Sequence, residues 1–464
     1  MQKNEQIWQQ RYLAAPKQLS KLKNVGTVIA AFNTNIDAVV KIRGDELSKL
    51  AEQFDLKIAD IKNGVNQLCS VCDVVRGICK CFINGIAEEW LCQDAAIAEW
   101  MQKNLQYERL QMGGQAGIIA NLAAVLGVKR AIVHTASHPK KQAEQFLHYK
   151  NLYAVDENAE LQQASTMNRV NDDALIHYII EFDKGECCTI EGQNFTAPRA
   201  NRFIATYDPA NMHLKINDGF IKYVDENGYD FLVLSGFHNL TAKNGGEERI
   251  GEIVPLIKNW REHYPSGVIH LELASTQDKV IRRVILEKIA PLVDSLGLNE
   301  REAIDAIEII APDYYKKNKN EVLEAALMTE ILLKIKEKTQ TPRIQLHMFG
   351  LYVTLQNADF RINVEQNRNG MLFAAVVAAS KAGYGKIEKT EDLLWSNIQN
   401  INVPELAELQ KLSECLNMPE LLSDGIAKLG KYDIIAVPTL IVPKPLTLVG
   451  MGDTISSVSL VSAI

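Results

Sequence analysis

Near the carboxyl end the chain reads Gly450-Met451-Gly452-Asp453-Thr454-Ile455-Ser456-Ser457, after a β-leaning apolar run from Ile434 to Val442. Glycines where a strand turns into a helix let backbone N–H groups converge on an anion. An aspartate at the mouth of such a turn stands where a hydroxyl can meet a phosphoryl group. The combination suits phosphoryl transfer to an alcohol, with Asp453 as base and Gly450 and Gly452 in the anion hole. A helix start capped by Asp and Thr uses the same residue types, so the motif has to be weighed with its partners.

Three other groups are candidates. Asn33-Thr34-Asn35-Ile36-Asp37 follows the apolar run Val25 to Phe32. Polar residues just past a buried strand lie at the carboxyl edge of a sheet, where α/β proteins bind ligands. Two amides and a carboxylate there can grip hydroxyls; an Asx turn is the plainer alternative. His270 and Glu272 share one strand face, because i and i+2 project together. Asn299 and Glu302 share the first turn of a helix, as a capping box or as an acid and amide holding Mg²⁺ through water. Met112-Gly113-Gly114-Gln115-Ala116-Gly117 runs into a helix, but without G-x-G-x-x-G spacing or a clear strand before it, so no dinucleotide site is read. Arg199 and Arg202 flank Asn201, and arginine suits phosphate.

The elements that must position these groups change rhythm near residue 228. Before it, residues 1–24 read as helix and residues 44–107 as mostly amphipathic helix, with Ile83 to Trp90 as a solvated helix face. Residues 160–210 alternate as strands and turns. After it come strand–helix units: strands Tyr229 to Ser235, Val268 to Leu273 and Leu292 to Leu298, and helices Ile253 to His263 and 277–290. Then follow helix 320–337, strands Arg343 to Met348 and Leu351 to Leu355, helix Gly370 to Ala382 and a helical stretch Val403 to Leu429. Repeated βα units imply a parallel, doubly wound sheet. Residues Thr454 to Ile464 leave room for a last helix of about three turns.

Composition narrows the class. The chain has 464 residues, 47% of them hydrophobic, and a net charge of −7. That charge disfavours nucleic acid or a membrane surface as partner. The polar start, Met1 to Lys23, has no apolar core of a secretory signal, and no apolar run is long enough to span a bilayer. Five of eight cysteines (Cys69, Cys72, Cys79, Cys81, Cys92) fall in one segment. No second Cys-x-x-Cys completes a zinc set, so free thiols in a reduced cytoplasm are expected.

Asn-x-Asn-x-Asp, Gly-Gly before a helix, His-x-Glu, Asn-x-x-Glu and Gly-x-Gly-Asp occur together in this order. From about residue 25 onward the chain resembles the ADP-dependent sugar kinases, the glucokinase and phosphofructokinase family of the ribokinase-like superfamily. The resemblance implies a large, mostly parallel α/β domain with helices on both faces, plus a smaller α/β lid. Residues 1–227 would hold the lid segments (about 34–115 and 160–210) with the first strands of the large domain, and residues 228–464 most of the nucleotide-binding domain. It implies one Mg²⁺ per site, held by Glu272, Asn299 and Glu302, and ADP as phosphoryl donor. Asp453 would be the base. Arg202, His347, Val437 and Gly452 would meet the nucleotide, and Asn33, Asn35, Asp37, Glu88, Gly114, Gln115 and His177 the sugar. The protein would be a cytoplasmic glycolytic enzyme, monomeric or a small homo-oligomer, with no nucleic-acid or membrane partner. Glu88 and His177 look like the glucokinase branch, and the lysine expected for a sugar phosphate is missing at Ala174-Leu175-Ile176-His177. Arg169, Lys184 or Arg199 could substitute, giving a phosphofructokinase or a dual enzyme. An ATP-using ribokinase-type or nucleoside kinase and a silent sugar-binding protein are the other readings.

Overall fold

The computed structural model describes every residue except 1, 65, 93, 277, 395–402 and 448. Its centre is an eleven-stranded sheet. Seven neighbours run parallel: Arg343–Met348, Ser295–Leu298, Val268–Glu272, Phe231–Leu234, Thr27–Ala31, Arg130–Val133 and Leu152–Val155. Most of their residues are buried and most of the strands are apolar; Arg343–Met348 differs, with buried Arg343, Gln345 and His347 alternating with apolar residues. Leu351–Asn357, Tyr432–Pro438 and Ile426–Leu429 extend one edge antiparallel, and Leu161–Gln163 closes the other. One helical layer contains Gln115–Leu126, Val364–Tyr384 and Met451–Val461; the other contains Gly246–His263, Glu300–Ile310 and Ala325–Thr339. The sheet is therefore doubly wound, as the βα rhythm predicts.

A second sheet has its own apolar core. Its order is Glu88–Cys92, Asn201–Tyr207, Ile176–Phe182, Asn35–Lys41 and Arg109–Gly113. The helices Gly44–Gln53 and Val71–Asn84 pack on it. The chain crosses from large sheet to small at residues 31–35, back at 113–115, out again between 163 and 176, and back at 207–209.

Three expectations are corrected. Residues 83–90 are not a helix face: Gly85 in the left-handed region ends helix Val71–Asn84, and Glu88–Cys92 follows as a strand with Trp90 buried. A strand does precede Gly114, namely Arg109–Gly113, a short segment with only Leu110 and Met112 apolar. The stretch 403–429 is helical only through Asp424; Gly425 caps it and Ile426–Leu429 is a strand. All eight cysteines are free, and among the described residues no His, Cys, Asp and Glu group has direct metal-ligand geometry. Among these residues no helix is long and apolar enough to cross a membrane.

Candidate active site

The carboxyl ends of the large sheet's central strands face the small sheet across a cleft of about 380 Å³. The last helix, Met451–Val461, points its first turn into it. Gly450 begins that helix at φ 61°, ψ 27°, a left-handed conformation that L side chains rarely adopt. A methyl on Gly450 would also lie 2.8 Å from Ile118 Cδ1 and 2.9 Å from Lys381 Nζ. The Lys381 ammonium donates to Gly450 O at 3.0 Å and Thr454 Oγ1 at 3.1 Å, which pins the turn from behind.

Asp453 is in the first turn and lines the cleft. Its Oδ1 accepts from Gln115 Nε2 at 2.9 Å. Desolvation raises its pKa, opposed by the Gln115 hydrogen bond and the Lys381 charge. Burial in turn lowers the Lys381 pKa to about 8, against the pull of Asp453. Gln115 opens helix Gln115–Leu126 and lines the same cleft.

The acids at the strand ends form a second wall. Glu272 Oε2 lies 3.1 Å from His270 Nε2, and Oε1 lies 4.0 Å from His347 Nε2. Burial, then the charges of Asp453 and Glu302, push Glu272 well above the usual carboxylate range. Asn299 and Glu302 do form a capping box: Glu302 N donates to Asn299 Oδ1 at 3.0 Å, and Asn299 N donates to Glu302 Oε2 at 2.8 Å. Asn299 Nδ2 also donates to Glu302 Oε1 at 3.0 Å. Burial raises Glu302 to about 8. Both residues line the cleft, so cap and site coincide.

At the opposite end Asn33, Asn35, Asp37 and His177 meet. Asn35 Nδ2 donates to Asp37 Oδ1 at 2.8 Å, and buried Asn33 Oδ1 has no partner among the described residues. Burial lifts Asp37 to about 6. His177 Nε2 is 3.0 Å from buried Asp208. Burial lowers the His177 pKa, but Asp208, Glu89 and Asp37 outweigh it and the net shift is upward. Gly114, at φ 74°, packs so closely on Asn33 O that a Cβ would lie 2.6 Å from it.

The cleft gathers most of the residues picked out in the sequence, including Arg202, whose guanidinium makes no hydrogen bond or ion pair among the described residues. Two fall elsewhere. Glu88 faces away: Lys80 Nζ holds its carboxylate at 2.8 and 2.9 Å, and Trp90 Nε1 donates at 2.8 Å. Alternation along the strand turns Glu89 to the cleft instead, where Thr206 Oγ1 donates to it at 2.7 Å. Val437 is buried in strand Tyr432–Pro438, away from the lining. His347, expected at the nucleotide, stands next to Glu272, and a methyl on Gly452 would lie 2.8 Å from its Nε2. Sequence reasoning missed Glu89, Lys381 and His238. His238 follows the strand Phe231–Leu234 and lines the cleft with a buried Nδ1 that has no partner among the described residues; a polar residue just past a strand was its only signal.

A family model described as "ADP-specific Phosphofructokinase/Glucokinase conserved region" matches residues 26–462. An ADP-dependent glucose/glucosamine kinase of Pyrococcus abyssi is 32% identical, with 98% of each chain covered. An ADP-specific phosphofructokinase of Methanosarcina acetivorans is 27% identical, covering 97% of this chain and 96% of that one. The solved structure titled "ADP-dependent kinase complex with fructose-6-phosphate and ADPbetaS" superposes with a TM-score of 0.82 at 28% identity, covering 98% of this chain and 97% of that one. The "Last common ancestor of ADP-dependent phosphofructokinases from Methanosarcinales" gives 0.83 at 29%, with 98% of each covered. The chain belongs to the ADP-specific phosphofructokinase/glucokinase family and is an ADP-dependent sugar kinase.

Proposed function

We propose that the enzyme phosphorylates a free hexose, glucose before fructose 6-phosphate, using Mg²⁺-ADP. The observation that carries this is the charge of the sugar end. Glu89, Asp37 and Asp208 surround His177 there, a setting that repels a sugar phosphate and suits neutral hydroxyls. The candidate phosphate-binding cations are engaged elsewhere: Arg169 is held by Asp172 at 2.6 Å, and Arg199 donates to Gly85 O at 2.5 Å. Lys184 is absent from the residues lining the cleft. Relatives named for glucose and glucosamine, at 32% and 33% identity, agree with this reading. Arg202, free of partners among the described residues, fits the donor phosphates.

The donor set fits Mg²⁺. Glu272 and Glu302 bring buried carboxylates to one wall beside Asp453, and burial, with the neighbouring acids, raises their pKa values. Without direct-ligand geometry among the described residues, Glu272, Asn299 and Glu302 would hold the ion through its waters. When bound, the ion neutralises phosphate charge. Asp453 takes the acceptor hydroxyl's proton as the bond from that hydroxyl's oxygen to the β-phosphorus of ADP forms and the bond from that phosphorus to the bridging oxygen breaks, releasing AMP. Gln115 aims that carboxylate, and Lys381 fixes the Gly450–Gly452 turn whose N–H groups face the transferring group. The small sheet acts as a lid, which excludes water from the donor.

A matrix of ADP and ATP against glucose and fructose 6-phosphate, with and without Mg²⁺, tests the proposal. A higher kcat/KM with fructose 6-phosphate than with glucose would overturn the acceptor.

A further inference from the structure

Arg343 is fully buried at the start of strand Arg343–Met348. Among the described residues no carboxylate bonds to it. Its Nη1 donates to Ser295 Oγ at 2.8 Å; its Nη2 donates to Gln345 Oε1, to Asn367 Oδ1 at 3.0 Å and to Ser459 Oγ at 3.2 Å. All four partners are neutral, and its Nε has none among the described residues. A guanidinium buried with only neutral hydrogen-bond partners is costly to the fold; the charge it feels is that of Glu272, which points to a use beyond packing.

Its hydrogen bonds lead toward the cleft. Ser295 Oγ lies 2.9 Å from His270 Nδ1, and His270 Nε2 lies 3.1 Å from Glu272 Oε2. Arg343, Ser295 and His270 are register partners on three adjacent parallel strands. The direction of this chain follows from its first member. Arginine only donates, so the Ser295 oxygen accepts from it and the hydroxyl proton goes to His270 Nδ1. His270 then carries its own proton on Nε2, facing Glu272; the other tautomer would turn a lone pair toward a carboxylate. Ser459, the fourth partner, sits on the helix that carries Asp453.

We propose that Arg343 is a positioning residue for phosphoryl transfer: through Ser295 and His270 it orients Glu272 toward the divalent cation, and through Ser459 it holds the helix of Asp453 in register with that acid. The inference rests on the cation role of Glu272 proposed above. Removing such a supporting partner typically weakens metal affinity or activity about 10- to 100-fold.

The test is Mn²⁺ binding to the full-length enzyme with ADP, followed by electron paramagnetic resonance, alongside kcat and KM. Arg343→Met, Arg343→Lys, Ser295→Ala and Glu272→Gln are compared with the parent. Arg343→Met and Ser295→Ala should each weaken Mn²⁺ about tenfold or more, lower kcat and leave the sugar KM within about twofold. Arg343→Lys should recover much of the loss. If Arg343→Met does not fold, Ser295→Ala, which keeps the guanidinium, decides alone. Parent-like Mn²⁺ binding in these variants while Glu272→Gln binds weakly would overturn the positioning role and spare the cation site. Parent-like binding in Glu272→Gln would remove the cation reading and this inference with it.

Discussion

Glu302→Gln separates the two uses of one side chain. A glutamine at the third helical position can still accept from Asn299 N, so the capping box survives. It loses one acceptor for Asn299 Nδ2, which costs about 1 kcal/mol at every pH. What changes with pH is the buried charge. Folded Glu302 holds its proton up to about 8, against an ordinary glutamate value of 4.5. Ionisation above 4.5 therefore favours the unfolded chain, and the fold's stability falls as pH rises until the folded group also ionises. The cost to the wild type is about 1 kcal/mol at pH 5, about 3 kcal/mol at pH 7 and about 5 kcal/mol at pH 9. For a chain of 464 residues, about 1 kcal/mol moves Tm by about 1 °C. Thermal unfolding without Mg²⁺ or nucleotide should thus show the variant near parity at pH 5 and about 4 °C more stable at pH 9. Mg²⁺-ADP should reverse that order at pH 8, because only the wild type offers a charge to the ion. A Tm difference that stays constant from pH 5 to pH 9 would refute the reasoning.

Other outcomes follow from the same geometry. Asp453→Asn should lower kcat by about 10²- to 10⁴-fold without lowering Tm at pH 7, since it removes a desolvated charge; a coupled sugar-phosphate assay and calorimetry check both. Glu89→Gln should raise the sugar KM, whereas Glu88→Gln should leave KM alone and loosen the Lys80–Trp90 contact by about 1 kcal/mol. Gly297→Ala would push a methyl into the Glu272 carboxylate. It should cost about 1–3 kcal/mol and raise the Mg²⁺ concentration needed for half-maximal rate.

Much of this was legible because the decisive residues sit at punctuation in the chain. Gly450 and Asp453 stand where an apolar strand hands over to a helix, and Asn33 to Asp37 leave a β-branched run. Such transitions are local, so spacing alone exposes them. Glu88 and Glu89 show what spacing cannot do. Adjacent acids on an unrecognised strand point to opposite faces, and only pairing with Asn201–Tyr207 decides which one meets the cleft. The strand Arg109–Gly113 was missed because its alternation rests on two apolar residues, Leu110 and Met112, too short a run to stand out beside a helix. Lys381 gave no local signal and His238 only its place just past a strand, because their roles depend on burial against elements far away in sequence.

The four crossings between the sheets have a mechanical consequence. Asn33 to Asn35, Gly113 to Gln115 and Asp208 lie on the connecting chain and also carry the amides, close contacts and carboxylate of the sugar end. Any rotation of one sheet against the other must be absorbed by backbone torsions at these positions. The axle of the movement therefore runs through the specificity determinants themselves. Evolution cannot retune acceptor choice here without also altering the stiffness of the joint, so drift in substrate preference should travel with drift in turnover.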